Sequence, residues 1–313
     1  MIDRAAIAAA RRPLATQPDF LRTTPLMRLS GQSLGVECGE VWLKLEHLQV
    51  GGSFKARGML YRLLANPVPD SGVIIASGGN AGIAVAAAAR ALGVRCEVFV
   101  PEVSPEAKRA RLRALGAEVV VTGAAYSEAL EACVARQQAT GALQAHAYDQ
   151  PEVVAGAGTL ALEIEEQGGR PPDSVLVSVG GGGLIGGVAA WFASRAHVVA
   201  LEPERAPTLH AARAAGQPVD VDVGGVAADS LGARRIGALC WEISQRHVHD
   251  ALLLPDEAIR AAQLWLWKEF KLAVEPAAAL GLAALQTGAY KPQPQETVAL
   301  ILCGANFDPA SLA

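Results

Sequence analysis

The feature that most constrains the fold is a regular alternation of short β-branched runs with longer helical segments, which begins near Gly72. Strands that alternate with helices along a chain form parallel sheets with helices on both faces. The sequence therefore predicts an α/β protein of this kind. The segments that carry the prediction are strands at residues 73–76, 96–100, 118–121, 174–179, 198–201 and 298–303, and helices at residues 81–92, 104–115, 127–138, 184–194, 255–270 and 276–286.

The alternation occurs in two series, which predicts two lobes. Weak boundaries lie at residues 66–71 and 148–151, where proline and polar residues interrupt the pattern. We expect a small domain at residues 69–147 and a large domain built from residues 1–68 and 148–313. Ligands of open α/β sheets bind at the carboxyl ends of the strands, so the cleft between the lobes is the expected site.

Composition excludes several classes of function. The 313 residues carry a formal net charge of −4 and show no basic stripe, so a nucleic-acid partner is not expected. No apolar stretch reaches the roughly 18 residues of a membrane span, and the N-terminal apolar run is too short for a signal peptide. The five cysteines are odd in number and form no CxxC pair, which is typical of reduced thiols in a cytoplasm. We expect a cytoplasmic protein without a membrane partner.

A glycine-flanked turn, residues 51–58, delivers Lys55 at what the pattern predicts is the start of a helix. Turn glycines let the backbone approach a ligand closely, and a helix N-terminus adds unpaired N–H groups and the positive end of the helix dipole. A desolvated lysine beside positive charge loses its proton more readily, as a Schiff-base lysine requires. Taken alone, the turn is weak evidence, because lysines near helix starts are usually solvated surface groups. Two glycine clusters further along favour the functional interpretation.

The first cluster, which we call the tetraglycine loop, is residues 180–183, between a predicted strand and a predicted helix. Successive glycine N–H groups at a helix N-terminus form a cradle for a phosphate dianion. Residues 181–186 also satisfy G-x-G-x-x-G, and Glu202 ends the next strand about twenty positions later, as a dinucleotide-binding fingerprint requires. A nicotinamide-dependent oxidoreductase is therefore an alternative, although it leaves Lys55 unexplained.

The second cluster, which we call the asparagine loop, is residues 77–82, again between a predicted strand and helix. Its N–H groups and the Ser77 hydroxyl can hold a carboxylate, and the Asn80 amide can bond a ring hydroxyl. A plain turn is an equally good interpretation of this loop. Near the C-terminus, Cys303 ends the last predicted strand, where it is either a small buried hydrophobe or a thiol against a ring nitrogen.

Together these motifs resemble the fold type II pyridoxal-phosphate enzymes, specifically the serine/threonine dehydratase (ammonia-lyase) family. The resemblance covers nearly the whole chain. It implies a two-lobed, tryptophan synthase beta-like fold, pyridoxal 5'-phosphate as cofactor and a homodimer. The motifs that carry it, in order, are Thr24-Pro25-Leu26, Lys44-Leu45-Glu46, Gly52-Ser53-Phe54-Lys55-Ala56-Arg57-Gly58, the asparagine loop, the tetraglycine loop, Val274-Glu275-Pro276 and Cys303-Gly304-Ala305-Asn306.

The resemblance also implies roles for individual residues. Lys55 would hold the cofactor as a Schiff base and, once displaced by substrate, remove the α-proton. Phe54 would pack against the pyridine ring, Asn80 would bond its 3-hydroxyl oxygen, and Cys303 would face its nitrogen. The phosphate would be bound by Gly180, Gly181, Gly182, Gly183 and Leu184, and the substrate by Ser53, Ser77, Gly79, Asn80 and Ala81.

The chemistry of Cys303 indicates which reaction follows. A neutral thiol does not hold a proton on the pyridine nitrogen as a carboxylate would, which favours prompt loss of a β-hydroxyl group. The expected reaction is α,β-elimination from L-serine and/or L-threonine, giving a 2-oxo acid and ammonia. Racemases of the family use a serine where this chain has Gly78, so racemisation is disfavoured. With Cys303 and Ala81 at these two positions, the chain resembles the liver-type serine dehydratase subgroup.

Two further expectations concern the substrate and a cation. Residues 156–159 lack the polar side chain expected between their glycines, and if they line the substrate pocket, the substrate is bulkier, such as hydroxyaspartate or phenylserine. The family commonly binds a monovalent or divalent cation. By loose alignment its ligands would be Glu202 and a carbonyl near Ala206, although a surface glutamate is an equal interpretation. Because the chain ends soon after Cys303, we expect a catabolic, effector-independent enzyme.

Overall fold

The computed structural model describes residues 2–312, which form ten strands and twelve α-helices. The strands are β1 (Leu26–Ser30), β2 (Glu40–Lys44), β3 (Val73–Ala76), β4 (Cys96–Val100), β5 (Glu118–Val121), β6 (Leu143–Gln144), β7 (Ser174–Ser178), β8 (His197–Pro203), β9 (Asp250–Leu254) and β10 (Thr297–Ile301). The helices are α1 (Arg4–Leu14), α2 (Lys55–Leu64), α3 (Asn80–Leu92), α4 (Glu106–Ala114), α5 (Tyr126–Thr140), α6 (Pro151–Gly168), α7 (Gly183–Phe192), α8 (Thr208–Ala215), α9 (Ala228–Leu231), α10 (Ala238–His247), α11 (Asp256–Phe270) and α12 (Pro276–Gln286). No helix in this part of the chain is long and apolar enough to span a bilayer.

The strands form two sheets. The larger has the order β1-β2-β10-β7-β8-β9, with β1 antiparallel at its edge and every other pair parallel. The smaller has the order β5-β4-β3-β6 and is entirely parallel. Central strands such as β7 and β10 are buried along their whole length, because helices cover both faces of a parallel sheet. The predicted α/β class with parallel sheets is confirmed.

The two sheets draw on separate parts of the chain. The smaller sheet takes its strands from residues 73–144, and the larger sheet takes its strands from the segments before and after them. The chain thus begins the large lobe, builds the small lobe and then returns. The domain boundaries at residues 68/69 and 147/148 stay predictions.

One predicted helix start is wrong in detail. Helix α4 begins at Glu106, its N-cap is Pro105, and no side chain caps it. Ser104 instead donates its backbone N–H to the Pro101 carbonyl at 3.0 Å, in the turn that leaves β4. The predicted start at residue 104 is therefore two residues too early, and Pro105 lies outside the first helical turn.

Helices α2, α6 and α7 approach each other closely through glycines. A Cβ atom at Gly58 of α2 would lie 2.5 Å from the Val153 carbonyl oxygen of α6. A Cβ atom at Gly156 would lie 2.8 Å from the Arg57 carbonyl oxygen of α2. Gly156 and Gly158 thus serve close helix packing, and the hypothesis that residues 156–159 line a substrate pocket stays a prediction. The same packing holds α2, which begins with Lys55, firmly against α6.

We expect the close contact of α6 with α7 to be sensitive to a single methyl group. A Cβ atom at Gly187 would lie 2.5 Å from the Gly158 nitrogen and the Val154 carbonyl oxygen, both backbone atoms that cannot move aside. Gly187→Ala should therefore lower the free energy of unfolding by about 1–3 kcal/mol. Urea denaturation measures the change.

Gly186→Ala is the matched control in the same helix. A Cβ atom there would lie 3.3 Å from the Val154 Cγ1 methyl and 3.7 Å from the Cα and Cβ atoms of Cys240, and the helix gains from replacing glycine. Its free energy of unfolding should stay within about 1 kcal/mol of the starting protein. Equal effects of the two substitutions would contradict this account of the helix packing.

Candidate active site

The carboxyl ends of the strands and the start of α2 enclose one cavity. The tetraglycine loop follows β7, the asparagine loop follows β3, and Cys303 follows β10. This is the position expected for a ligand of an open α/β sheet. The residues that line the cavity are Phe54, Lys55, Asn80, Ser178, Gly180, Gly182, Gly183, Leu184, Ser230, Leu231, Glu275 and Cys303.

Lys55 is the first residue of α2, as the sequence predicts, and its amine is held inside the cavity. Its Nζ donates to the Ala147 carbonyl oxygen at 2.6 Å and lies 5.1 Å from the centroid of the Phe54 ring. Burial lowers the pKa of Lys55 from 10.5 to about 8, with the negative charge of Glu275 partly opposing the shift. Roughly a tenth of the amine is therefore uncharged, and nucleophilic, at pH 7, a far larger fraction than for a lysine in water.

The tetraglycine loop presents free backbone N–H groups at the start of α7. Within the described residues, the N–H groups of residues 180–183 donate to no protein acceptor. The loop has no room for side chains of its own that would cover these N–H groups. A Cβ atom at Gly181, for example, would collide with the Tyr148 ring. Gly182 has φ +94°, and a Cβ atom there would collide with Cys240 Sγ. The loop fits a phosphate group.

The side chain of Asn80 is held by two neighbours from distant parts of the chain. Its Nδ2 lies 3.1 Å from both carboxylate oxygens of Glu275, and its Oδ1 accepts a bond from Asn306 Nδ2 at 2.5 Å. Asn306 also donates its backbone N–H to Glu275 at 3.1 Å. Burial raises the pKa of Glu275, and hydrogen bonds from Asn80 and Ser230 partly offset the shift. The amide of Asn80 is thus oriented before any ligand binds.

Glu275, Ser230, Leu231 and Ser178 line the cavity but were not among the predicted site residues. Glu275 belongs to the Val274-Glu275-Pro276 motif of the family resemblance, so the sequence could have identified it as a site residue. The other three carry no motif of their own. Their place in the cavity follows from the packing of distant segments, which a linear pattern does not show.

The predicted substrate-binding residues divide into two groups. The Ser77 hydroxyl accepts a bond from the Gly79 N–H at 3.4 Å, Gly79 is the N-cap of α3, and Ala81 lies in the first turn of that helix. This helix N-terminus stands beside Asn80 of the cavity wall. Ser53 differs, because it is 1% exposed, is absent from the cavity wall, and its hydroxyl has no hydrogen-bond partner in the described part of the chain.

Cys303 is buried on the cavity wall. Burial raises the pKa of its thiol well above the ordinary value, so the group is neutral at physiological pH. Its carbonyl oxygen accepts the Phe54 N–H at 3.0 Å, which ties the end of β10 to the residue before Lys55. The backbone of Cys303 is therefore fixed in place relative to the start of α2.

Glu202 is a buried residue, so the interpretation as a surface glutamate is wrong. It is 0% exposed, and its two carboxylate oxygens accept the N–H groups of Leu209 and His210 at 2.8 Å each, in the first turn of α8. Burial raises its pKa. Because both of its oxygens accept these bonds, the carboxylate of Glu202 is not free to bond a ribose hydroxyl. The chain therefore lacks the acidic residue that the dinucleotide-binding fingerprint requires.

Among residues 2–312 no group of three or more His, Cys, Asp or Glu side chains could hold a metal, and a cation at Glu202 and Ala206 stays a prediction.

Comparison with known proteins agrees with this geometry. The family described as pyridoxal-phosphate dependent enzyme matches residues 18–304. The L-threonine ammonia-lyase of Thermotoga maritima is 35% identical over an alignment of 277 positions, which covers 86% of this chain and 68% of that protein. The phenylserine dehydratase of Ralstonia pickettii is 34% identical over an alignment of 316 positions, which covers 99% of this chain and 95% of that protein.

Solved structures show the same fold. A threonine deaminase from the source abbreviated T.th. has a TM-score of 0.89 and 36% identity, over 98% of this chain and 99% of that chain. Maize serine racemase has a TM-score of 0.91 and 28% identity, over 99% of this chain and 95% of that chain. The fold type II expectation is confirmed.

The chain therefore belongs to the family of pyridoxal-phosphate dependent enzymes, in its serine/threonine dehydratase branch. Its cofactor is pyridoxal 5'-phosphate, and its relatives support dehydratase (ammonia-lyase) activity. The residues of the cavity fit that cofactor, because they combine a buried amine for its aldehyde with a cradle of free N–H groups for its phosphate. The likeness to the liver-type subgroup stays a prediction.

The lowered pKa of Lys55 predicts how the protein takes up its cofactor. Only the neutral amine attacks an aldehyde, so the rate of cofactor attachment should rise with pH through a midpoint near 8, not near 10.5. Stopped-flow absorbance after mixing cofactor-free protein with pyridoxal 5'-phosphate measures this rate. Lys55→Arg is the control and should show no attachment. A wild-type midpoint near the ordinary lysine value would contradict the burial of the amine.

Proposed function

We propose that the protein converts L-threonine and/or L-serine to a 2-oxo acid and ammonia by α,β-elimination. The observation that carries the proposal is that a buried amine of lowered pKa and a neutral thiol share one cavity with a phosphate cradle. The threonine ammonia-lyase and threonine deaminase named above support the choice of substrate. When bound, the cofactor withdraws electrons from the bond between Cα and its proton.

We assign the proton transfer to Lys55. Once its amine is released from the cofactor, the low pKa leaves it neutral often enough to accept the proton from the substrate Cα. The Ala147 carbonyl oxygen, 2.6 Å from Nζ, then accepts a hydrogen bond from the resulting ammonium group. The same residue thus serves both attachment and proton removal.

We assign the holding groups to the loops around the cavity. The phosphate would be bound by the N–H groups at the start of α7, and the substrate carboxylate by Ser77 and the N-terminus of α3. Asn80, already oriented by Glu275, would bond the ring hydroxyl. Phe54 would pack against the ring. Cys303 would face the ring nitrogen as a neutral thiol, which does not supply that nitrogen with a proton and so favours elimination.

A second candidate substrate is phenylserine. The support for it is that the phenylserine dehydratase named above is similar over almost its whole length. Racemisation is less well supported, despite the likeness to maize serine racemase. Gly78 offers no side chain to act as a second base where racemases have a serine.

We also propose a cytoplasmic homodimer that serves amino-acid catabolism. The dimer rests on the family resemblance alone. The location is supported by the cysteines, because Cys96, Cys133, Cys240 and Cys303 are all buried as free thiols, as in a reducing compartment.

The proposal predicts which amino acids react, and a direct assay can test this. Purified holoenzyme should release 2-oxo acid from L-threonine or L-serine and not from D-serine, and chiral chromatography should find no D-serine formed from L-serine. Lys55→Ala should lower kcat/KM by at least about 1000-fold, because both attachment and proton removal are lost. Production of oxo acid from threo-phenylserine alone would transfer the assignment to the second candidate. Formation of D-serine without oxo acid would contradict elimination.

A further inference from the structure

A buried ion-pair cluster, made of Arg57, Glu46, Glu163 and Lys44, lies beside the site and takes no part in the chemistry above. The Arg57 side chain is 0% exposed and uses all five of its N–H donors. Its Nε and Nη2 donate to Glu46 at 2.8 and 2.7 Å, and its Nη1 and Nη2 donate to Glu163 at 2.8 and 2.7 Å. The Thr159 hydroxyl accepts the fifth bond at 3.3 Å.

Every buried charge of this cluster has an oppositely charged partner. Lys44 Nζ donates to Glu163 at 2.7 Å, to the Thr24 carbonyl at 2.8 Å and to Gln167 at 2.9 Å. Glu163 also pairs with the partly exposed Arg11 at 3.0 Å, so three cations share the two carboxylates. Replacing one member leaves a buried charge without its partner, which is why such clusters hold a single geometry firmly.

The cluster joins three elements that converge on the catalytic lysine. Arg57 belongs to α2, two residues after Lys55, Glu163 belongs to α6, and Glu46 begins the turn that leaves β2. The same turn is bonded to the end of β10. The His47 N–H donates to the Leu302 carbonyl at 2.7 Å, next to the wall residue Cys303.

We propose that Arg57 is a positioning residue, which fixes the start of α2 so that Lys55 stands in one orientation toward the cofactor and toward Cys303. It acts through the backbone of α2 and does not touch the cavity, since it is absent from the cavity wall. The proposal rests on the assigned role of Lys55 and is independent of which amino acid is the substrate.

Arg57→Lys tests the proposal, because lysine keeps the charge but cannot form two bidentate pairs. The matched control is Arg62→Lys in the same helix, where Arg62 also pairs with a glutamate of α6, Glu152, at 3.0 Å, but at the partly exposed far end. In holoenzyme, Arg57→Lys should weaken the visible circular dichroism of the bound cofactor and lower kcat about 100-fold, with KM changed less than about threefold. Arg62→Lys should leave these quantities within about twofold of wild type.

Glu46→Gln is the second variant, in case Arg57→Lys does not fold. It keeps the shape of the side chain and removes one of the two charges that hold Arg57, so it should change the circular dichroism and kcat in the same direction by a smaller factor. The circular dichroism needs no turnover, so it tests the positioning role even if the substrate assignment fails. A folded variant of either kind with an unchanged cofactor signal and kcat would overturn the proposal.

Discussion

Burial of the Lys55 amine is the constraint on which the rest of the structure depends. An amine in water would be almost fully charged at neutral pH, whereas the cavity lowers its pKa to about 8. Water has to be kept away and the amine still needs a hydrogen-bond partner, which the Ala147 carbonyl supplies at 2.6 Å. That carbonyl lies in the segment joining the two sheets, so the state of the lysine depends on how the lobes meet.

The local part of the site could be predicted from the sequence. Lys55 at a helix start, the tetraglycine loop before α7 and the asparagine loop before α3 are each set by a few adjacent residues, because glycine conformation and helix termini are local properties. The same reasoning identified the parallel α/β class. Helix α4 begins at Glu106, two residues later than predicted, because Pro105 lies at the N-cap and outside the helix.

The rest of the site depends on contacts that are distant in the sequence. Glu275 orients Asn80 from 195 positions away, and Asn306 bonds Asn80 from 226 positions away. No periodic pattern predicts such pairs. The glycines at residues 156 and 158 depend on distant contacts as well, since they let α6 pack closely on α2 and α7. Glu202, interpreted as a surface residue or a ligand, is used to satisfy the first turn of α8.

The central claim is that Lys55, and no other lysine, holds the cofactor. The most direct measurement is reduction of the holoenzyme with borohydride, which fixes the cofactor to its amine, followed by peptide mass spectrometry. The peptide that contains Lys55 is expected to carry the added mass of the reduced cofactor. The same mass on the peptide of Lys44 or Lys108, or on none, would contradict it.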